Sequence, residues 1–193
     1  MKIVIAGEGG QGVQSIANIM TEAAYDQGRQ ALYIPNFGVE QRGGVSVAFI
    51  QVADEEISSL KFQKADIVMA LSPRAVARTA RYVNEKTLFI YEASIGEAEV
   101  EDAGIAATGC RILPIDAMHI VRERLNTRVF NVLIMGAAIA ASDLVKFDYA
   151  VAALENKLGD KFKKNPSLRE MNLEALSLGA SLVSACGGEN SAK

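Results

Sequence analysis

Cysteine is almost absent from the sequence: Cys110 and Cys186 are the only two, and neither lies in a CxxC. Two isolated thiols do not ligate an iron–sulfur cluster, so any electrons passing through such a protein are carried elsewhere. The pair reads as free thiols in a reducing cytosol. Long apolar runs are also missing. No stretch approaches the ~18–20 uninterrupted residues of a membrane helix. The opening MKIVIAGEGG is a strand running into a glycine turn, without the apolar core of a secretory signal. The expectation is a soluble, cytoplasmic chain with no membrane partner. Basic residues form no block: the 20 Lys and Arg are dispersed and the net charge is -3, which argues against nucleic acid as a partner. His119 is the single histidine and has no serine, cysteine or acidic constellation around it, so it reads as structural. No metal-ligand spacing, internal repeat or low-complexity linker is present.

What is present is apolar and evenly distributed. Half of the 193 residues are hydrophobic and 22% are charged, enough to bury a sizeable core and to exclude a disordered or fibrous chain. The expectation is one α/β domain over residues 1–183, with 184–193 as a flexible tail.

Six segments read as strands. Lys2 to Ala6 is a short β-branched run ended by Gly7, as in a strand buried on both faces. Ala31 to Pro35, Val45 to Val52, Ile67 to Leu71, Thr87 to Tyr91 and Arg111 to Ile115 complete the set. Between the first two strands, Val13, Ile16, Ala17, Met20, Ala23 and Ala24 recur at helical spacing, with Gly28 placed to cap the helix. Val129 to Ala141 is almost wholly apolar and reads as a buried helix in which Gly136 permits close packing. Tyr149 to Leu158 and Leu168 to Val183 are two further helices. Strands alternating with helices, then a helical end, predict an α/β fold of Rossmann-like type. Its sheet is open and mainly parallel, with helices on both faces and a helical C-terminal part.

Gly7, Gly9 and Gly12 form GxGxxG directly between the first strand and the first helix, the context that gives the motif meaning. Gly7 allows the tight turn, Gly9 lets a ligand phosphate approach the backbone, and Gly12 allows close helix packing. The N–H groups of the first helical turn then face an anion. The alternative is a glycine turn that merely packs. A dinucleotide site would add an acidic residue at the end of the second strand, but that strand ends in Ile34-Pro35-Asn36, and Asp26 belongs to the end of the helix. The reading as a free-standing NAD(P)- or flavin-binding oxidoreductase therefore lacks its second support.

At this point the motifs resemble a known family. Gly7-Glu8-Gly9-Gly10-Gln11-Gly12 resembles the GxGGQG opening of the γ subunits of 2-oxoacid:ferredoxin oxidoreductases acting on pyruvate, 2-oxoisovalerate, 2-oxoglutarate or indolepyruvate. Phe37 to Gly44, containing Glu40 and Arg42-Gly43-Gly44, is similar to their second signature. Ala65-Asp66-Ile67-Val68, Asn131 with Gly136, and Asn172 with Ala175 and Gly179 add weaker matches. The resemblance covers roughly residues 1 to 183. It implies a γ subunit in a complex that oxidatively decarboxylates a 2-oxoacid with coenzyme A, giving acyl-CoA, CO2 and reduced ferredoxin. Coenzyme A is the co-substrate associated with the γ-type domain. Thiamine diphosphate, Mg and iron–sulfur clusters belong, by the resemblance, to thiamine-binding alpha/beta-type subunits and a ferredoxin-like delta subunit or domain. In agreement, no thiamine motif of the GDG…N type occurs here. Coenzyme A carries phosphates but does not require the acid of an NAD site.

The candidate binding residues are Gly7, Gly9, Gly10, Gln11, Gly12, Arg42, Ser72 and Asn131, with none catalytic. Gln11 either fixes the turn or touches a ligand. Arg42 meets a ligand phosphate or partner carboxylate, or forms a surface ion pair, with Glu40 ordering the same loop. Ser72 and Ser94 follow strands and serve as caps or as ligand contacts. Asn131, at the start of the apolar helix, makes a structural hydrogen bond or a ligand contact. Lys157, Lys161, Lys163 and Lys164 read as a solvated helix face.

Overall fold

The structure is a computed structural model, described here for residues 1–36 and 44–186, the side chains of 184–186 excepted. Glu40 and Arg42, and the tail residues 187–193, lie outside the described residues. Six strands form one open sheet: β1 (Lys2–Glu8), β2 (Gln30–Asn36), β3 (Val45–Ala53), β4 (Ile67–Ala70), β5 (Leu88–Glu92) and β6 (Arg111–Ile115), in the spatial order β2-β3-β1-β4-β5-β6. All six expected strands are present. β1, β4, β5 and β6 pair in parallel, with Ile3 opposite Ile67 and Leu88 opposite Arg111. β3 runs antiparallel to both β1 and β2, pairing Ile3 with Ile50 and Tyr33 with Ile50 from its two sides. β2 consequently points the same way as β1, and β3 alone is reversed. β1 lies at the centre, and its apolar run is explained by burial on both faces.

Among the described residues seven α-helices cover the sheet. One face carries α1 (Val13–Asp26), α4 (Ala117–Arg124), α5 (Phe130–Ala140), α6 (Phe147–Lys164) and α7 (Pro166–Cys186); the other carries α2 (Pro73–Thr79) and α3 (Glu97–Asp102). Side chains alternate between the two layers as the pleat requires. Ile3, Ile5, Ile67, Met69 and Ile90 enter the larger core, whereas Val4, Ala6, Val68, Ala70 and Phe89 enter the smaller. The expected boundary after residue 183 falls inside α7, which continues to Cys186.

α5 is buried on all sides from Phe130 to Ile139, which accounts for its lack of amphipathic periodicity. It crosses α7 so closely that the helices touch through backbone. A Cβ on Gly136 would stand 2.1 Å from the Leu176 carbonyl oxygen, and one on Gly179 would stand 1.8 Å from that of Leu133. Gly136 thus does permit close packing, and Gly179 does the same from the other side.

Candidate functional site

The glycine turn leaves β1 at the carboxyl edge of the sheet, where ligands of open α/β sheets bind. Gly7 is required by proximity: a Cβ there would meet Gln11 Oε1 at 2.7 Å and Val13 Cγ2 at 2.9 Å. Gly10 and Gly12 have φ of 94° and 76°, the left-handed region that glycine occupies without strain. Gln11 holds the turn. The Glu8 N–H donates to its Oε1 at 2.6 Å, and its Nε2 donates to the Leu71 carbonyl at 2.8 Å, tying the loop to the residue after β4. Both ends of this amide are thereby engaged, one within the loop and one with Leu71.

Gly12 caps α1 in a left-handed conformation and, among the described residues, no side chain accepts from the first-turn N–H groups, so the positive end of a 14-residue helix opens outward. Gly9 and Gly10 are exposed and have open space where a Cβ would stand.

Two cavities flank the loop. The smaller, about 350 Å³, lies over Gly9, Gly10, Gln14 and Ser46. Its floor is braced by Gln14, which donates to Ser46 Oγ at 2.6 Å and accepts from the Tyr33 hydroxyl. Burial pushes the Tyr33 phenol above its ordinary value, so it stays a neutral donor. The larger cavity, about 370 Å³, runs from Gly10 and Gly12 to Arg128 and Asn131 at the start of α5, Lys161 near the end of α6, and Asn172 in α7.

Asn131 joins loop and cavity. It is 8% exposed, its Oδ1 accepts from the Val132 N–H at 3.0 Å, and its Nδ2 lies where a Cβ on Gly12 would be only 2.2 Å away. Gly12 is therefore a glycine for two reasons, its backbone angle and its contact with Asn131. Ser72 is drawn away from the cavities: it is buried and its Oγ accepts from the Ala75 N–H at 3.3 Å, capping α2. Ser94 is likewise occupied, hydrogen-bonding to the buried Glu92, which also accepts from the Met118 N–H at 3.1 Å. His119 is exposed and pairs with Glu123 on α4. Cys110 is a free thiol.

The cations were not legible as a site. The run read as a solvated face follows that reading: Lys157, Lys161 and Lys164 are exposed, and Lys163 pairs with Asp160 at 3.3 Å, while Lys161 also borders the larger cavity. Arg128 gave no signal, because its relevance depends on α5 packing beside the glycine loop.

The same topology disposes of the dinucleotide reading. With β3 between β1 and β2, the end of β2 stands two strand spacings from β1, about 10 Å. An acid there could not serve a ribose held at the glycine turn, and the strand end carries none.

Comparisons with known proteins agree with this architecture. A family model described as pyruvate ferredoxin/flavodoxin oxidoreductase matches residues 2–182. The chain is 32% identical over 173 residues to the pyruvate/ketoisovalerate oxidoreductases common subunit gamma of Pyrococcus abyssi, covering 85% of this chain and 92% of that one. It is 26% identical to ketoisovalerate oxidoreductase subunit VorA of Methanothermobacter thermautotrophicus, where it covers 93% of this chain but spans only 36% of the relative's length. Among solved structures, the γ subunit of a keto/oxoacid ferredoxin oxidoreductase from Geobacter sulfurreducens shares the fold, with a TM-score of 0.77 at 22% identity, covering 95% of this chain and 98% of that one. A 2-oxoglutarate:ferredoxin oxidoreductase from Magnetococcus marinus, bound to 2-oxoglutarate, coenzyme A and succinyl-CoA, shares it with a TM-score of 0.81 at 22% identity, covering 96% of this chain and 31% of that one. The comparisons lend no support to a free-standing NAD(P)- or flavin-dependent enzyme. By sequence match along nearly its whole length and by fold, the chain belongs to the pyruvate ferredoxin/flavodoxin oxidoreductase family, as a γ-subunit-type member.

Proposed function

We propose that the chain works as the γ subunit of a cytoplasmic 2-oxoacid:ferredoxin oxidoreductase and presents its glycine turn to coenzyme A. The observation that carries the coenzyme A reading is the open, uncapped start of α1 behind Gly9, Gly10 and Gly12. Backbone N–H groups at a helix N-terminus bind phosphate without a cationic side chain, and coenzyme A is a phosphate-rich co-substrate. Gly7 and Gln11 shape the turn, Asn131 closes its inner side, and Ser72 fixes the helix after the neighbouring strand. Arg42, outside the described residues, is proposed to meet a coenzyme A phosphate or a partner's carboxylate.

The decarboxylation chemistry belongs to other chains in this reading. Among the described residues no group of three His, Cys, Asp or Glu could hold a metal ion, and two cysteines are too few for a cluster. Thiamine diphosphate with Mg is assigned to alpha/beta-type partners. The iron–sulfur clusters are assigned to a ferredoxin-like delta subunit or domain, from which electrons pass to ferredoxin.

Gly9→Asp tests the loop in the assembled enzyme. The carboxylate would stand in the open space before the helix terminus, where a phosphate approaches. Its repulsion, about 1.4 kcal/mol or more, raises the Michaelis constant for coenzyme A at least about tenfold. The 2-oxoacid constant and the elution of the complex in size-exclusion chromatography stay as in wild type. An unchanged coenzyme A constant in a folded, assembled variant removes the loop from the site.

A further inference from the structure

The two faces of the sheet are covered unequally over β2 and β3. On one face α1 packs on both strands, and Tyr33 and Ile50 enter the larger core. On the other, α2 packs mainly on β1 and β4 and α3 packs on α2, so among the described residues no helix is centred over β2 and β3. Leu32 and Ile34 point to that side, paired with Gln51 and Phe49, and belong to neither core. Their cover comes from two short segments. Phe62 and Tyr82 set their rings edge-on to Phe49, at centroid distances of 5.9 and 5.4 Å. These rings, with Ile34 and Pro35, line a cavity of about 520 Å³, larger than either cavity at the glycine turn. Leu60 lines it too and is 63% exposed.

The chemistry of the lining selects among occupants. A small-molecule pocket fixes its ligand with a few precisely placed polar groups, and here no polar side chain of the lining is buried. Aromatic rings beside an arginine are instead the composition of a protein–protein interface, where a cavity receives an anchoring side chain. The charged residues of the lining are Lys61 and Arg81, with no carboxylate among the described residues. Arg81 lies over the Tyr82 ring, 5.2 Å from its centroid, and neither cation forms an ion pair among the described residues. A second copy docked about a two-fold axis would bring these cations against their own copies. A different chain bearing carboxylates meets them with the opposite sign. Relatives give a reason for such a neighbour. The matched region is 36% of VorA and 31% of the Magnetococcus marinus chain, so there the module shares one polypeptide with other parts.

We infer that the cavity over β2 and β3 is the docking site for a partner subunit of the enzyme complex. The partner inserts a bulky apolar side chain among Phe49, Phe62 and Tyr82 and sets carboxylates against Lys61 and Arg81. The inference rests on the reading of the chain as a subunit and is independent of coenzyme A.

The test uses the full chain and the complex it forms with its partner subunits. Leu60→Asp, at an exposed position, keeps the melting temperature of the chain and weakens its binding to the partners about tenfold or more. Tyr25→Asp is the control: Tyr25, on α1, is the other large apolar side chain exposed among the described residues, at 71%, and its loss leaves assembly as in wild type. Lys61→Glu with Arg81→Glu weakens assembly in the same way as Leu60→Asp. A direct readout comes from thiol labelling, in which the thiol added by Leu60→Cys reacts in the isolated chain and is shielded in the complex, whereas that of Tyr25→Cys reacts in both. A Leu60→Cys thiol as reactive in the complex as in the isolated chain overturns the docking site and leaves the subunit reading standing. Shielding in a dimer of the isolated chain overturns it as well, because the occupant is then a second copy. If wild type forms no complex with the partner subunits, the subunit reading fails and the docking site falls with it.

Discussion

The four glycines of the loop are not equivalent, and the difference shows in the atoms around them. Gly9 has no described atom within 4 Å of its virtual Cβ, and its backbone is not left-handed. Gly9→Ala is therefore expected to change stability by no more than about 0.5 kcal/mol, as at an ordinary surface position. Gly12 combines a φ of 76° with a virtual Cβ 2.2 Å from Asn131 Nδ2, so Gly12→Ala adds strain to a clash with a buried side chain. The left-handed conformation alone costs roughly 1–2 kcal/mol. Urea unfolding of both variants checks this, and a Gly12→Ala midpoint equal to wild type would contradict the geometry. The motif spacing identified which residues turn the chain, but not that Gly12 is a glycine for Asn131, a neighbour far along the sequence. Gln11 shows the same limit. Either use was open to it, and the position of Leu71 at the end of the adjacent strand engages its side chain as a brace.

At the scale of elements, the strands and the long helices were legible, whereas strand direction and the short helices α3 and α4 were not. The alternation of Val45 to Val52 marks a strand whichever way it runs; its reversal follows from pairing with β1 and β2, which is a tertiary choice. The buried helices were legible because α5 is apolar all round. Their crossing depends on Gly136 and Gly179 meeting backbone across the interface. Gly179→Ala would place a methyl 1.8 Å from the Leu133 oxygen. Alanine's gain in helix propensity, about 1 kcal/mol, is outweighed once α5 and α7 are forced apart, since overpacking costs typically 1–3 kcal/mol or more. The expected result is a lowered melting temperature. A variant as stable as wild type would mean that the helices separate at no cost. The cavity itself was illegible: Arg128, in the turn before α5, and Lys161, in α6, are brought together only by the fold of α5, α6 and α7.

For the whole molecule, the missing chemistry is as informative as the site. A γ-type chain with two cysteines and no thiamine motif is expected to show no 2-oxoacid-dependent dye reduction on its own, and activity is expected to return on mixing with its partner subunits. Dye reduction by rigorously pure chain, with pyruvate or 2-oxoglutarate, would refute that division of labour. VorA shows the module as part of a longer chain, since the matched region spans only 36% of its length.

The insertion of β3 between β1 and β2 also governs the order in which the chain becomes competent to fold during synthesis. β1 leaves the ribosome first and occupies the centre of the sheet, yet both of its neighbours, β3 and β4, are made after β2. A nascent chain that ends at Asn36 holds two strands and a helix with no ladder to join them. α1 can form locally, but its apolar side must wait. Only once Ala53 has emerged can β3 lie between the two earlier strands and pair with both at once, closing long-range contacts in a single late step. Until then the strand destined for the centre of the sheet has both edges unpaired, and a stall in translation between Asn36 and Ala53 would expose its apolar run.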